Sequence, residues 1–179
     1  RLILAIPHLV WLALWGIVAV LAAIANWFAT LVNGKSPEGL HNFLATYLRY
    51  TTHVRAYALL VADPYPPFTG KEGTYPIDLE VDPPERQNRL TVFFRVILAI
   101  PAYVFMTVLT VVLYVIGFLG WFASLALGRM PRGMRDLGAY CLRYQTQTYA
   151  YLLLLTPRYP SLAGSTPQQP VEQLTLDGV

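Results

Sequence analysis

The residues best suited to chemistry in this chain are two Arg-Tyr pairs, Arg49-Tyr50 and Arg143-Tyr144, with Thr52 and Thr146 close behind them. A guanidinium in an apolar chain needs an anion or a set of carbonyls. A phospholipid phosphate, the carbonyls at a helix C-terminus or a carboxylate would each serve. Acids are scarce nearby: Asp136 precedes Arg143, but the matching position before Arg49 is Asn42, so no salt bridge common to both pairs is expected. Arg49, Tyr50, Arg143 and Tyr144 are therefore the candidate lipid-phosphate residues, with capping of helix carbonyls as the structural alternative.

The other reactive groups do not converge. His8, His41 and His53 have Ala102, Arg135 and Gln147 at the positions 94 residues later, and His41 and His53 are 12 apart. That spacing is too long for two metal ligands on adjacent helical turns. A hydrogen-bonded histidine is the plainer expectation. The single cysteine, Cys141, excludes an internal disulfide and a multi-cysteine metal site. The sequence has no Gly-x-Ser-x-Gly elbow, no complete phosphate-cradling glycine loop and no His-Glu-x-x-His. Asp78, Glu80 and Asp82 alternate with apolar residues and read as the solvated face of a strand. No cofactor, no metal and no catalytic constellation is expected, so the chain does not read as an enzyme. With 13 basic against 10 acidic side chains and no run of like charge, nucleic acid is not an expected partner.

These residues are positioned by a unit that occurs twice. Arg1–Pro7 recurs as Arg95–Pro101, and the match runs without a gap to Tyr65-Pro66 against Tyr159-Pro160, with about 26 of 68 paired positions identical. Each copy opens on a run without formal charge, Leu2 to Val32 and Val96 to Leu127, longer than the ~20 residues that cross a hydrocarbon core. The composition agrees. The chain is 55% hydrophobic and only 13% charged, where a soluble domain carries about 25% charged residues. In the second copy Asn88–Phe94 would extend the helix upstream of Arg95, so residues preceding Arg1 are expected too.

Both runs end at corners of one design, Gly34-Lys35-Ser36-Pro37-Glu38-Gly39 and Gly128-Arg129-Met130-Pro131-Arg132-Gly133. Glycine followed by proline gives a tight turn into a second helix, so Gly34, Pro37, Gly39, Gly128, Pro131 and Gly133 are the expected structural corners. The second helices, Leu40–Ala62 and Met134–Thr156, carry a polar stripe. Identical corners suggest identical surroundings, which gives two parallel hairpins, about four membrane crossings and both corners on one face of the membrane. Second helices lying in the interface are the competing arrangement. Tyr-Pro signatures at Tyr65-Pro66 and Tyr159-Pro160 end each second helix. Tyr75 to Val81 then alternates with strand period, and Val171 to Leu176 gives a weaker echo, with Pro170 matching Pro76. The resulting division is 1–68, repeat 1; 69–87, a strand-containing linker; 88–162, repeat 2; and 163–179, a flexible tail with a second strand.

The arrangement resembles an uncharacterised bacterial integral membrane protein family, domain of unknown function 4389, marked by a Gly-Arg-Tyr-Pro motif. Its counterparts here are Gly34-Lys35-Ser36-Pro37 and Gly128-Arg129-Met130-Pro131, then Leu48-Arg49-Tyr50 and Leu142-Arg143-Tyr144, then Ala56-Tyr57 and Ala150-Tyr151. Neither corner keeps the family's tyrosine. The resemblance covers nearly the whole chain and implies a bacterial membrane fold with no activity attached.

The expectation is thus an all-α membrane protein of two tandem helical hairpins with short extramembrane β-strands, in a bacterial cytoplasmic membrane and of undecided orientation. It would be a non-catalytic scaffold or accessory subunit of a larger membrane complex, with membrane lipids and other subunits as partners, the latter by strand pairing at Tyr75 to Val81. Lipid or amphiphile binding through arginines held between the repeats is the alternative.

Overall fold

The structure, a computed structural model, describes residues 2–79 and 81–163. Five helices follow in order: α1 Leu2–Asn33, α2 Glu38–Ala58, the short α3 Arg89–Phe93, α4 Arg95–Leu127 and α5 Arg132–Leu152. The two uncharged runs form α1 and α4, each about 48 Å long at 1.5 Å per residue. Pro7 and Pro101 lie inside these helices and end neither.

Each long helix is followed by a tight turn. Gly34 and Gly128 take left-handed φ angles of 71° and 70°, which glycine adopts without Cβ strain. Pro37 and Pro131 then stand at the N-caps of α2 and α5. The other ends of α2 and α5 carry a signal the sequence hides. Leu60 N donates to Tyr57 O and Val61 N to Ala56 O; Leu154 N donates to Tyr151 O and Leu155 N to Ala150 O. These are paired Schellman closures, and the left-handed residue, normally glycine, is leucine in both, at φ 62°. Both leucine side chains are buried, Leu60 against Ile116 and Met130. The helices therefore stop several residues before the Tyr-Pro signatures.

Within each unit the long helix packs on the short one, α1 on α2 and α4 on α5, and the units meet through α2 and α5. At the centre of that contact Thr52 and Thr146, equivalent residues, hydrogen-bond at 3.0 Å. The two helices run antiparallel. The C-terminal end of α2 reaches the second corner and the start of α5, where Leu60 packs on Met130 and Val61 touches Gly138. The C-terminal end of α5 reaches the first corner, where Asn26 Nδ2 donates to Leu153 O at 3.0 Å and Gln87 Nε2 to Leu154 O at 2.9 Å. The corners thus lie at opposite ends of the molecule, which replaces the expected parallel hairpins with an antiparallel pair.

Two further expectations are corrected. Among the described residues two helices, α1 and α4, are long and apolar enough to cross a membrane, not four; α2 and α5 carry too many polar side chains. Their burial explains this: Arg49, Thr52, His53, Gln145, Thr146 and Thr148 are inside the protein, among other side chains. Second, no β-strand forms among the described residues, only an isolated antiparallel bridge between Lys35 and Arg86. Tyr75 to Leu79, bent through Ile77, and Val81 lie along α2. Their apolar side chains face the helix, Tyr75 buried and Ile77, Leu79 and Val81 packed against the cores. Carbonyls here go to side chains rather than to a ladder: Leu79 O to Arg49 and Asp82 O to His41. Packing on a helix therefore produces the same alternation as a sheet. The expected strand at Val171 to Leu176 lies outside the described residues.

Candidate functional site

The linker returns along α2 from its C-terminal to its N-terminal end, which brings distant acids to Arg49. The Arg49 side chain is buried, and its Nε lies 2.9 Å from Asp78 Oδ1. Its Nη2 donates to Leu79 O at 2.8 Å and to Glu72 Oε2 at 3.2 Å, and its Nη1 to Gly70 O at 3.5 Å. His53 Nε2 stands 3.5 Å from the same Asp78 oxygen, its ring over Tyr75 at 4.7 Å. Burial would push the Asp78 carboxyl up, but the backbone N–H groups of Gly73 and Leu79, with the Arg49 guanidinium, outweigh it and hold the group below the usual carboxylate value. Burial likewise keeps the His53 imidazole below its ordinary value, against the pull of Asp78.

Beside this cluster a cleft of about 420 Å³ opens between α2 and the linker, lined by Glu38, His41, Arg49, Glu72 and Asp82 among others. Arg49 and Glu72 pair with each other, Asp82 lies 3.8 Å from Arg158, and no group of three or more metal-ligating side chains occurs among the described residues. The arrangement neutralises the buried guanidinium and ties the linker to α2.

The four residues singled out in the sequence do not come together. Tyr50 is fully buried, and its Oη lies 2.5 Å from His8 Nδ1. That histidine stacks on Phe68 with ring centroids 4.0 Å apart. Tyr144 meets Phe105 edge-on at 5.1 Å. Arg143 is half-buried, lies over the Tyr140 ring at 5.3 Å and keeps Nη2 enclosed without a hydrogen-bond partner. Arg49 and Arg143 therefore serve separate places, one on each unit. At the corners, Gly34 and Gly128 follow the long helices at left-handed φ, while an added Cβ at Gly39 or Gly133 would meet open space.

Sequence reasoning missed two groups. Asp78 was legible as a polar residue but not as the partner of Arg49, since a linker segment leaves no periodic trace of the helix it crosses. Arg95 stands in the sequence only as the first residue of the second copy. It is fully buried, donates to Gln87 Oε1, and stacks over Tyr151 at 4.0 Å. The only signal was its place as the first residue of the repeated run.

The family described as "Domain of unknown function (DUF4389)" matches residues 1–70 and 89–163, close to the two units seen in the fold. No curated protein and no solved structure matches the chain.

Proposed function

We propose that this chain, which belongs to the family described as Domain of unknown function (DUF4389), is a non-catalytic integral membrane protein that acts as a scaffold or accessory subunit of a larger membrane complex. In this reading the two tandem units place α1 and α4 across a bacterial cytoplasmic membrane. One observation carries it. α1 and α4 leave apolar side chains exposed along their whole length, from Leu4 to Val32 and from Val96 to Leu127, and touch the rest of the chain along a single face. Only 11% and 28% of their most apolar windows are buried, whereas the core helix of a soluble protein is mostly covered. Exposed apolar surface of this extent suits lipid and neighbouring helices.

The linker adds the second requirement. Lys71 and Glu72 are exposed beside the middle of α2, and irregular polar backbone does not face hydrocarbon. That side must meet water or another protein, which a subunit contact would supply. Purification from native membranes in mild detergent, with crosslinking before extraction, tests the reading: a defined partner should be recovered with the chain. A chain that emerges alone under both conditions would sink the accessory-subunit role.

Lipid or amphiphile binding through Arg49 and Arg143 stays the alternative. The Asp78 and Glu72 contacts weigh against Arg49 in that role, because a phosphate would have to displace two carboxylates.

A further inference from the structure

The two corners match in sequence position but differ in charge. Lys35, Glu38 and His41 of the first correspond, 94 positions later, to Arg129, Arg132 and Arg135 of the second. At the first corner one base stands with one acid, and His41 is buried and donates Nε2 to Asp82 O at 3.0 Å. At the second, three guanidinium side chains line a cleft of about 420 Å³ whose other walls are Leu127, Met130 and Pro131. No acid lines it.

The fold leaves most of this charge unused. Arg129 and Arg132 are exposed and make no ion pair with a described residue. Arg135 gives Nη2 to Asp63 Oδ2 at 3.3 Å, while its Nε is shut from solvent without a hydrogen-bond partner. An enclosed donor left open is costly, and like charges around one cleft repel until an anion sits among them. The cleft also borders an apolar wall. It begins at Leu127, the last residue of α4, and Phe122, Leu125 and Leu127 are all exposed. An anion in the cleft would therefore have apolar helix surface running away from it on one side.

We propose that the second corner binds an anionic phospholipid, its phosphate held by Arg129, Arg132 and Arg135 and its acyl chains laid along the C-terminal end of α4. Guanidinium forks match phosphate oxygens, which a water-soluble phosphoester would offer equally well. The neighbouring apolar surface decides between the two, because only a lipid uses both parts. The inference rests on the membrane reading above: with α4 across a bilayer, Leu127 ends the apolar span and the three arginines stand at the level of the headgroups. The first corner, with Glu38 in place of Arg132, lacks the same attraction. Arg49 and Arg143 take no part in this site.

Native mass spectrometry tests it on the full chain in an uncharged detergent, supplied with equal amounts of phosphatidylglycerol and phosphatidylcholine carrying the same acyl chains. The chain should retain phosphatidylglycerol at least about tenfold over phosphatidylcholine, since each arginine beside an anionic lipid contributes about fivefold. Arg129→Gln with Arg132→Gln should bring that ratio close to one. Both side chains are exposed, so the melting temperature should not move. Arg86→Gln with Arg89→Gln removes the same charge from exposed positions beside the first corner and should leave the ratio unchanged. A ratio near one in the natural chain would overturn the proposal and leave the membrane reading standing, whereas failure to retain either lipid would remove both. A preference that survives the second-corner substitutions, or falls equally in the two double variants, would also overturn it. Displacement of phosphatidylglycerol by millimolar glycerol 3-phosphate would overturn the lipid and give the cleft to a water-soluble phosphoester.

Discussion

Arg49 shows how a buried charge is made acceptable in a chain this apolar. Its carboxylate, two backbone carbonyls and a second acid satisfy the guanidinium on every side, and removing one partner would leave the other charged and enclosed. Arg49→Gln should therefore lower stability by about 2 to 3 kcal/mol, less than a fully buried pair because Asp78 keeps some exposure. Thermal melting in detergent would measure it. Asp78 adds a pH dependence whose sign is fixed. Its folded carboxyl titrates below the ordinary value of 3.8, so its stabilising contribution is complete above that value and is lost as pH falls through the lower folded one. Asp78→Asn should be less stable than the natural chain at pH 6 and converge with it in acid. Curves that stay parallel down to pH 2 would show the contact to be idle. The paired leucines give a sharper case. Leu154 is buried at a left-handed φ that a β-branched side chain resists. Leu154→Ile should thus cost about 2 kcal/mol more than the same swap at Leu142, inside a helix.

At the scale of elements, the helices and corners were legible, and the reason is local. An uncharged run, a glycine with free φ and a following proline act over a few residues, and each appears in the sequence at the place where the structure uses it. The linker was misread because alternation reports only that one side is covered, not by what. The ends of α2 and α5 were missed for a related reason: leucine stands where the turn prefers glycine, and only its burial explains why. The crossing of the units depends on another short-range feature. Gly138 approaches Val61 so closely that an added Cβ would stand 2.8 Å from Val61 Cγ2, and valine has no flexible end to yield. Gly138→Ala should destabilise by about 1 to 3 kcal/mol. Val61→Ala in the same chain should recover part of the loss, and strictly additive effects in that double-mutant cycle would show that the two residues do not press on each other.

For the whole molecule, the order of the corners is the decisive outcome. They were expected on one side because their sequences match; the structure sets them at opposite ends, since α2 and α5 meet antiparallel and the linker travels the length of α2 between them. If α1 and α4 cross a bilayer, positions 39 and 133 face opposite compartments. Single Gly39→Cys and Gly133→Cys variants have open space around the new side chain, and the native Cys141 is too buried to react. A membrane-impermeant thiol reagent on intact cells should label one variant and reach the other only after lysis. Labelling of both from outside would contradict the antiparallel arrangement. The contact of Thr52 with Thr146 carries a consequence of another kind. Equivalent residues that meet across a two-fold are the mark of a homodimer, and here both halves of that dimer are one polypeptide. Assembly is then independent of concentration, and the two halves are free to diverge. The three histidines, all in the first half, mark one place where the halves already differ.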